Sequence, residues 1–149
     1  MSAHVWEILD RKGRKVISVP GDTNVLKAVQ TMTDHNIGCV MVMSASGVID
    51  GICSERDVFR KVILQKQDAS GVEVSAVMTP ESELITVQPD TTLTECMDLM
   101  KKRGIRHLPV LDADGKAEGM ISLRDVVDVL SSAKELMIRQ LEHYIGSSL

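Results

Sequence analysis

Residues 16–58 of the chain return without a gap, 68 positions on, as residues 84–126. Gly51-Ile-Cys-Ser-Glu-Arg-Asp57 answers to Gly119-Met-Ile-Ser-Leu-Arg-Asp125. The pairs Ile17/Ile85, Val19/Val87, Asp22/Asp90, Thr23/Thr91, Met32/Met100, Ile37/Ile105, Val42/Val110, Gly47/Gly115 and Val58/Val126 are identical as well. A repeat this long at fixed spacing predicts two copies of one folding unit. Any site on the unit should then occur twice, and differences between the copies become informative.

At 149 residues the chain fits one domain or two half-domains that share a core. Hydrophobic residues make up 44% but aromatics only 2%, so the interior must be built from Val, Ile, Leu and the nine methionines. A formal charge of -4 argues against a broad electrostatic grip on nucleic acid or an anionic membrane. No apolar run is long enough to span a bilayer, and Met1-Ser-Ala-His-Val-Trp6 lacks the basic-then-apolar pattern of a signal peptide. Cys39, Cys53 and Cys96 are odd in number and show no Cys-x-x-Cys spacing. They read as small core residues of a protein in a reducing, cytoplasmic setting.

Each copy follows one pattern. A short β-type run (Val16–Val19; Leu84–Val87) meets a turn with Pro and Asp, and Thr23 or Thr91 is placed to cap a helix. Val25, Ala28, Val29 and Met32, and likewise Leu93, Cys96, Met97 and Met100, recur at helical spacing. The helices run down near Asn36 and Gly104. Two strands follow in each copy (Cys39–Met43 and Ile49–Cys53; Leu108–Leu111 and Ala117–Ile121), joined by polar turns ending at Gly47 and Gly115. Ser54 and Ser122 then open a last helix. The expected class is α+β: two β-α-β-β-α units with flanking helices. The expected segments are an N-terminal arm (1–15), a first repeat (16–64), an exposed linker (65–77), a second repeat (78–131) and a C-terminal helix (132–149). Trp6 is expected to anchor the arm. Leu136, Ile138, Leu141 and Ile145 form an apolar stripe suited to docking on the chain's own domain or on a partner.

Most catalytic signatures are missing: no P-loop, no Gly-x-Gly-x-x-Gly, no Gly-x-Ser-x-Gly and no His-Glu-x-x-His. The four histidines lack metal-ligand spacing, so no metal is expected. What remains is the doubled Ser-x-Arg-Asp. Ser with an acid three residues later is a helix-start pattern that needs no ligand. The same geometry also suits one. A helix N-terminus attracts phosphate, Asp can accept two hydrogen bonds from a ribose diol, and Arg can pair with phosphate.

On these residues the chain resembles the CBS domain, and its pair of repeats resembles a Bateman module. The resemblance covers about residues 5–130. It rests on the ungapped duplication, Met78-Thr-Pro80, Gly104-Ile-Arg-His-Leu-Pro-Val110 and the doubled Ser-x-Arg-Asp. It implies two pseudo-symmetric repeats packed through their sheets, with two clefts between them for adenosine-containing ligands: AMP, ADP, ATP, NAD or S-adenosylmethionine. It implies that Asp57 and Asp125 hold ribose, that Ser54 and Ser122 lie near ribose or phosphate, and that Arg56 and Arg124 lie near phosphate. In related modules the basic pair of one unit faces the phosphate held at the other unit's Asp. The Asp57 cleft should therefore gain Arg106 and His107, with Arg124, around an apolar slot of Leu84, Ile85, Ile105 and Pro109. The Asp125 cleft meets Gly38 and Cys39, which bring no charge. The Asp57 cleft is thus expected to be the better mononucleotide site, with AMP as its first candidate. The expected function is a non-catalytic regulatory sensor, homodimeric and acting on a regulated protein. The alternative is a dimeric interaction scaffold with empty clefts.

Overall fold

The computed structural model describes residues 3–147. Residues 1–2 of the arm and 148–149 of the C-terminal segment lie outside them. The first half holds α1 (Val5–Lys12), β1 (Ser18–Val19), α2 (Val25–Asp34), β2 (Cys39–Met43), β3 (Ile49–Ser54) and α3 (Glu55–Val58), which runs on as a π-helical turn (Phe59–Ile63). The second half holds β4 (Thr79–Pro80), α4 (Leu93–Arg103), β5 (His107–Leu111), β6 (Ala117–Ser122) and α5 (Leu123–Ser147).

The sheets reproduce the repeat residue for residue. In the antiparallel pair β2–β3, Cys39 faces Ser54 and Val42 faces Gly51; in β5–β6, His107 faces Ser122 and Val110 faces Gly119. Both pairs slip register at the same place, after Val42 and after Val110. β1 and β4 complete a four-stranded sheet in the order β1-β2-β3-β4. In the second unit the expected strand Leu84–Val87 shrinks to a single parallel bridge from Val87 to Val110.

Two apolar clusters form the core, one per unit, and each borrows from outside its own repeat. Val5, Ile8 and Leu9 of α1 are buried in the second unit's cluster with Leu93, Leu108, Ile121 and Val126. Val74 and Val77, between the repeats, are buried in the first unit's cluster with Val25, Val40, Val42 and Cys53. The hydrogen bonds match this exchange. Val5 and Trp6 N–H groups donate to the Thr91 and Pro89 carbonyls (2.9 Å each), and those of Val74 and Ser75 to the Thr23 and Gly21 carbonyls (2.7 and 3.0 Å). The arm and the inter-repeat segment are therefore equivalent pieces, each laid over the repeat that it does not directly precede. The segment 65–77 is mostly exposed yet tied down: Val25 and Leu26 donate to the Val72 and Ala69 carbonyls.

Four expectations change. The helix caps are Asn24 and Thr92, one residue later than Thr23 and Thr91. Thr91 Oγ1 instead accepts from the Gln88 N–H (3.0 Å) and closes the preceding turn. Trp6 is not the arm's anchor: it is 43% exposed and stacks on the His4 ring, while Val5, Ile8 and Leu9 turn inward. The last repeat helix and the C-terminal helix are one helix of 25 residues. No Gly or Pro interrupts its first 23 residues, and the Ser132 hydroxyl donates back to the Asp128 carbonyl (2.9 Å) instead of capping a new helix. Finally, of the two docking places open to the apolar stripe, the chain's own domain is not used: Val126 and Val129 at the start of α5 are buried, but every residue from 131 to 145 is exposed.

Candidate functional site

Alternation along β3 turns Ile49, Gly51 and Cys53 into the core and leaves Ile52 and Ser54 half-buried on the opposite face. That face, the start of α3 and the segment after β4 form one wall of a cleft. Gly104, Ile105, Arg106 and His107 of the second unit form the other wall. The cleft has a volume of about 470 Å³, within the usual range for small-molecule sites. A second cleft of about 600 Å³ lies in the mirror position, walled by Met120, Ser122, Arg124 and Asp125 on one side and Ile37, Gly38 and Cys39 on the other. Gly38, Glu55 and His107 line both clefts. Contact there is close: a methyl group at Gly38 would lie 3.1 Å from Glu55 Oε1 and 3.5 Å from His107 Cε1.

Both repeated aspartates are held by helix caps. Ser54 N–H donates to Asp57 Oδ2 (3.0 Å), and Ser54 Oγ accepts from the Asp57 N–H (3.2 Å). Ser122 and Asp125 repeat this at 2.9 and 3.1 Å. The cap does not exhaust the carboxylate. A carboxylate offers about four acceptor positions, and the cap fixes the orientation of those left over. On Asp57, Thr79 Oγ1 (3.4 Å) and Lys61 Nζ (3.2 Å) approach Oδ1. On Asp125, Lys12 Nζ lies 2.9 Å from Oδ2.

The Asp57 cleft brings together Ser54, Arg56, Asp57, Leu84, Ile85, Ile105, Arg106 and His107. Arg56 Nη1 also donates to the Gly104 carbonyl (2.7 Å), bridging the units. Two of the residues assigned to this cleft lie elsewhere. Pro109 is buried within β5, where its carbonyl accepts from the Val87 N–H (3.0 Å); Ile52 and Phe59 supply apolar lining instead. Arg124 lines the Asp125 cleft, because its own helix start faces that side. The Asp125 cleft is also not without charge, since Lys12 and Lys15 line it. Ile52 could have been found from its period-2 partnership with Ser54. Nothing in the repeat pointed to Lys12 and Lys15, which lie outside it.

Burial pushes the pKa of the His107 ring down. Lys12, Arg106 and Arg56 act in the same direction, and Asp125 opposes them. The centre between the clefts therefore holds a neutral imidazole at neutral pH. All three cysteines are buried. Burial is also the largest cause of their raised pKa values: Cys39 well above the ordinary value, Cys53 to about 12 and Cys96 to about 11. The thiolate is the reactive form, so a thiol reagent at pH 8 is expected to label the native protein slowly at all three sites and the unfolded protein quickly. Fast native labelling would contradict this. Among the described residues no group of His, Cys, Asp or Glu side chains is arranged to hold a metal, and no helix is long and apolar enough to cross a membrane.

The sequence matches the CBS domain twice, over residues 7–64 and 74–132. The chain belongs to the CBS-domain family. It is 37% identical over 150 residues to the mitochondrial CBS domain-containing protein CBSX3 of Arabidopsis thaliana, covering 97% of this chain and 72% of the plant protein. A solved CBS-domain protein from Agrobacterium tumefaciens superposes with a TM-score of 0.79 at 37% identity, over 86% of this chain and 93% of that one. A CBS-domain protein from Pyrobaculum aerophilum, solved in complex with AMP, shares the fold at 22% identity with a TM-score of 0.72, over 82% and 88% of the two chains. The two α+β units are thus CBS repeats, and the chain is a CBS pair flanked by its arm and α5.

Proposed function

We propose that this CBS pair is a non-catalytic regulatory module that binds an adenine nucleotide, AMP before ADP, ATP, NAD or S-adenosylmethionine, in the Asp57 cleft. The carrying observation is that this cleft takes complementary parts from both repeats. On one wall stands a carboxylate already oriented by its cap; on the other stands Arg106; Leu84, Ile85 and Ile105 lie in the same lining. Ribose, phosphate and base call for these three chemistries. The AMP complex of the Pyrobaculum aerophilum protein supports an adenosine ligand for this fold. Binding would shift the chain between shapes or partner affinities only so far as one state binds the nucleotide better.

A second reading, a dimeric interaction scaffold, is favoured by one observation: α5 presents Leu136, Ile138 and Leu141 uncovered. Homodimer formation fits either reading. Three buried thiols fit a reducing compartment such as the cytoplasm.

Native mass spectrometry of the purified protein would display oligomer and retained nucleotide together. In a thermal-shift series, AMP at 100 times its Kd should add about 2.7 kcal/mol. For a chain of this length that is a rise in Tm of roughly 5–10 °C. No rise with any adenosine compound would leave the scaffold reading standing.

A further inference from the structure

We infer that Lys12 is a built-in counter-ion that competes with ribose for Asp125, so that the arm weakens the second nucleotide site of the CBS pair. The inference rests on reading the clefts as nucleotide sites. Lys12 is the last residue of α1, whose Val5, Ile8 and Leu9 are buried in the second unit's core. Its backbone position is therefore fixed, and its side chain is part of the cleft lining. There Nζ donates to Asp125 Oδ2 at 2.9 Å and to the Met120 carbonyl at 3.0 Å. A ribose diol arriving at this carboxylate must displace the ammonium or share the carboxylate with it.

At Asp57 the counter-ion comes from outside the cleft lining. Lys61 does reach Asp57 Oδ1 at 3.2 Å, but from one turn further along the same helix. Its Nζ also donates to the Val77 carbonyl (2.9 Å), and Lys61 is not among the residues that line the cleft. The position 68 residues after Lys61 is Val129, which is buried. The second repeat therefore has no cation of its own at that place, and the arm supplies one from the cleft side. The Lys12–Asp125 pair is partly exposed, with side chains 39% and 23% accessible. Its effect is accordingly modest, about fivefold in affinity, as for pairs of this kind.

The test isolates the second cleft. In an Asp57→Ala background, AMP is titrated by NMR into the full chain carrying Lys12, Lys12→Met or Lys12→Arg. The expected result is that Lys12→Met tightens AMP about fivefold, while Lys12→Arg, which keeps the counter-ion, leaves it weak. Equal affinity for Lys12 and Lys12→Met overturns the inference. So does weaker binding by Lys12→Met, which would make Lys12 a phosphate ligand. If the unmutated chain binds AMP, either outcome leaves the proposed function intact. If no variant and not the unmutated chain binds AMP, both fail together.

Discussion

Asp57→Ala should weaken AMP binding by roughly a hundredfold, while Asp125→Ala should leave it within about fivefold of the unmutated chain. A hydrogen bond to a charged group contributes about 1.5–3 kcal/mol. A ribose diol makes two with one carboxylate, and losing about 3 kcal/mol is a factor of about one hundred. The substitution also opens one half of the capping box, because the Ser54 N–H loses Asp57 Oδ2 while Ser54 Oγ keeps the N–H of residue 57. Loss of a cap costs about 1 kcal/mol, so a fall in Tm of a few degrees belongs to folding and not to the ligand. Asp57→Asn separates the two effects, since its amide oxygen can still accept from Ser54 while the charge is gone. Calorimetry on the three variants gives the ranking. Equal losses at Asp57 and Asp125 would make the clefts equivalent, and no loss at Asp57 would remove it from the site.

The linings of the two clefts also mark where the sequence is legible and where it is not. The period carried the strand pairing, the turns at Gly47 and Gly115 and the capped aspartates, because each depends on residues a few positions apart. It could not carry the arm. Val5, Ile8 and Leu9 share one helical face that excludes Trp6, but no local pattern says which unit that face covers: Leu9 packs against Gly119 across more than a hundred residues. The resemblance to related modules puts Arg124 with Arg106 and His107 in the Asp57 cleft. The place of Arg124 on the first turn of α5 instead carries it, with Ser122 and Asp125, into the opposite cleft. Pro109 was apolar and in the right stretch. But β5 is covered on both faces at this point: Leu108, Pro109 and Val110 are all buried, so sharing a face with His107 does not bring Pro109 into the cleft. The join between the last repeat helix and the C-terminal helix was hidden by Ser131-Ser132, which resembles a helix start but bonds backward along a continuous helix.

Gly51→Ala and Gly119→Ala occupy equivalent positions and should differ sharply in cost, because different material covers each. A methyl group at Gly51 would collide with the Thr79 carbonyl oxygen and lie 2.9 Å from Met78 Sδ. The carbonyl belongs to β4, which is paired with β3 at Gly51 and Pro80, so relief requires moving the strand. Overpacking of this kind costs about 3 kcal/mol, a loss of roughly 6–12 °C in Tm for a chain of this size. AMP affinity should fall too, since Thr79 lines the Asp57 cleft. At Gly119 the nearest atom is Leu9 Cδ2, 2.9 Å away, the far end of a flexible side chain that can rotate. About 1 kcal/mol is expected there. Leu9→Ala alone should cost about 2–5 kcal/mol, because Leu9 is 1% exposed in the second unit's core. In that background Gly119→Ala should become neutral or stabilising, since the new methyl group enters the space Leu9 has left. The coupling in the Leu9/Gly119 double-mutant cycle is thus about 1 kcal/mol, measured by chemical denaturation. Leu9→Ala should leave the cost of Gly51→Ala unchanged. A Gly119→Ala penalty that is the same with and without Leu9 would mean that the arm does not cover the second unit as Met78 and Thr79 cover the first.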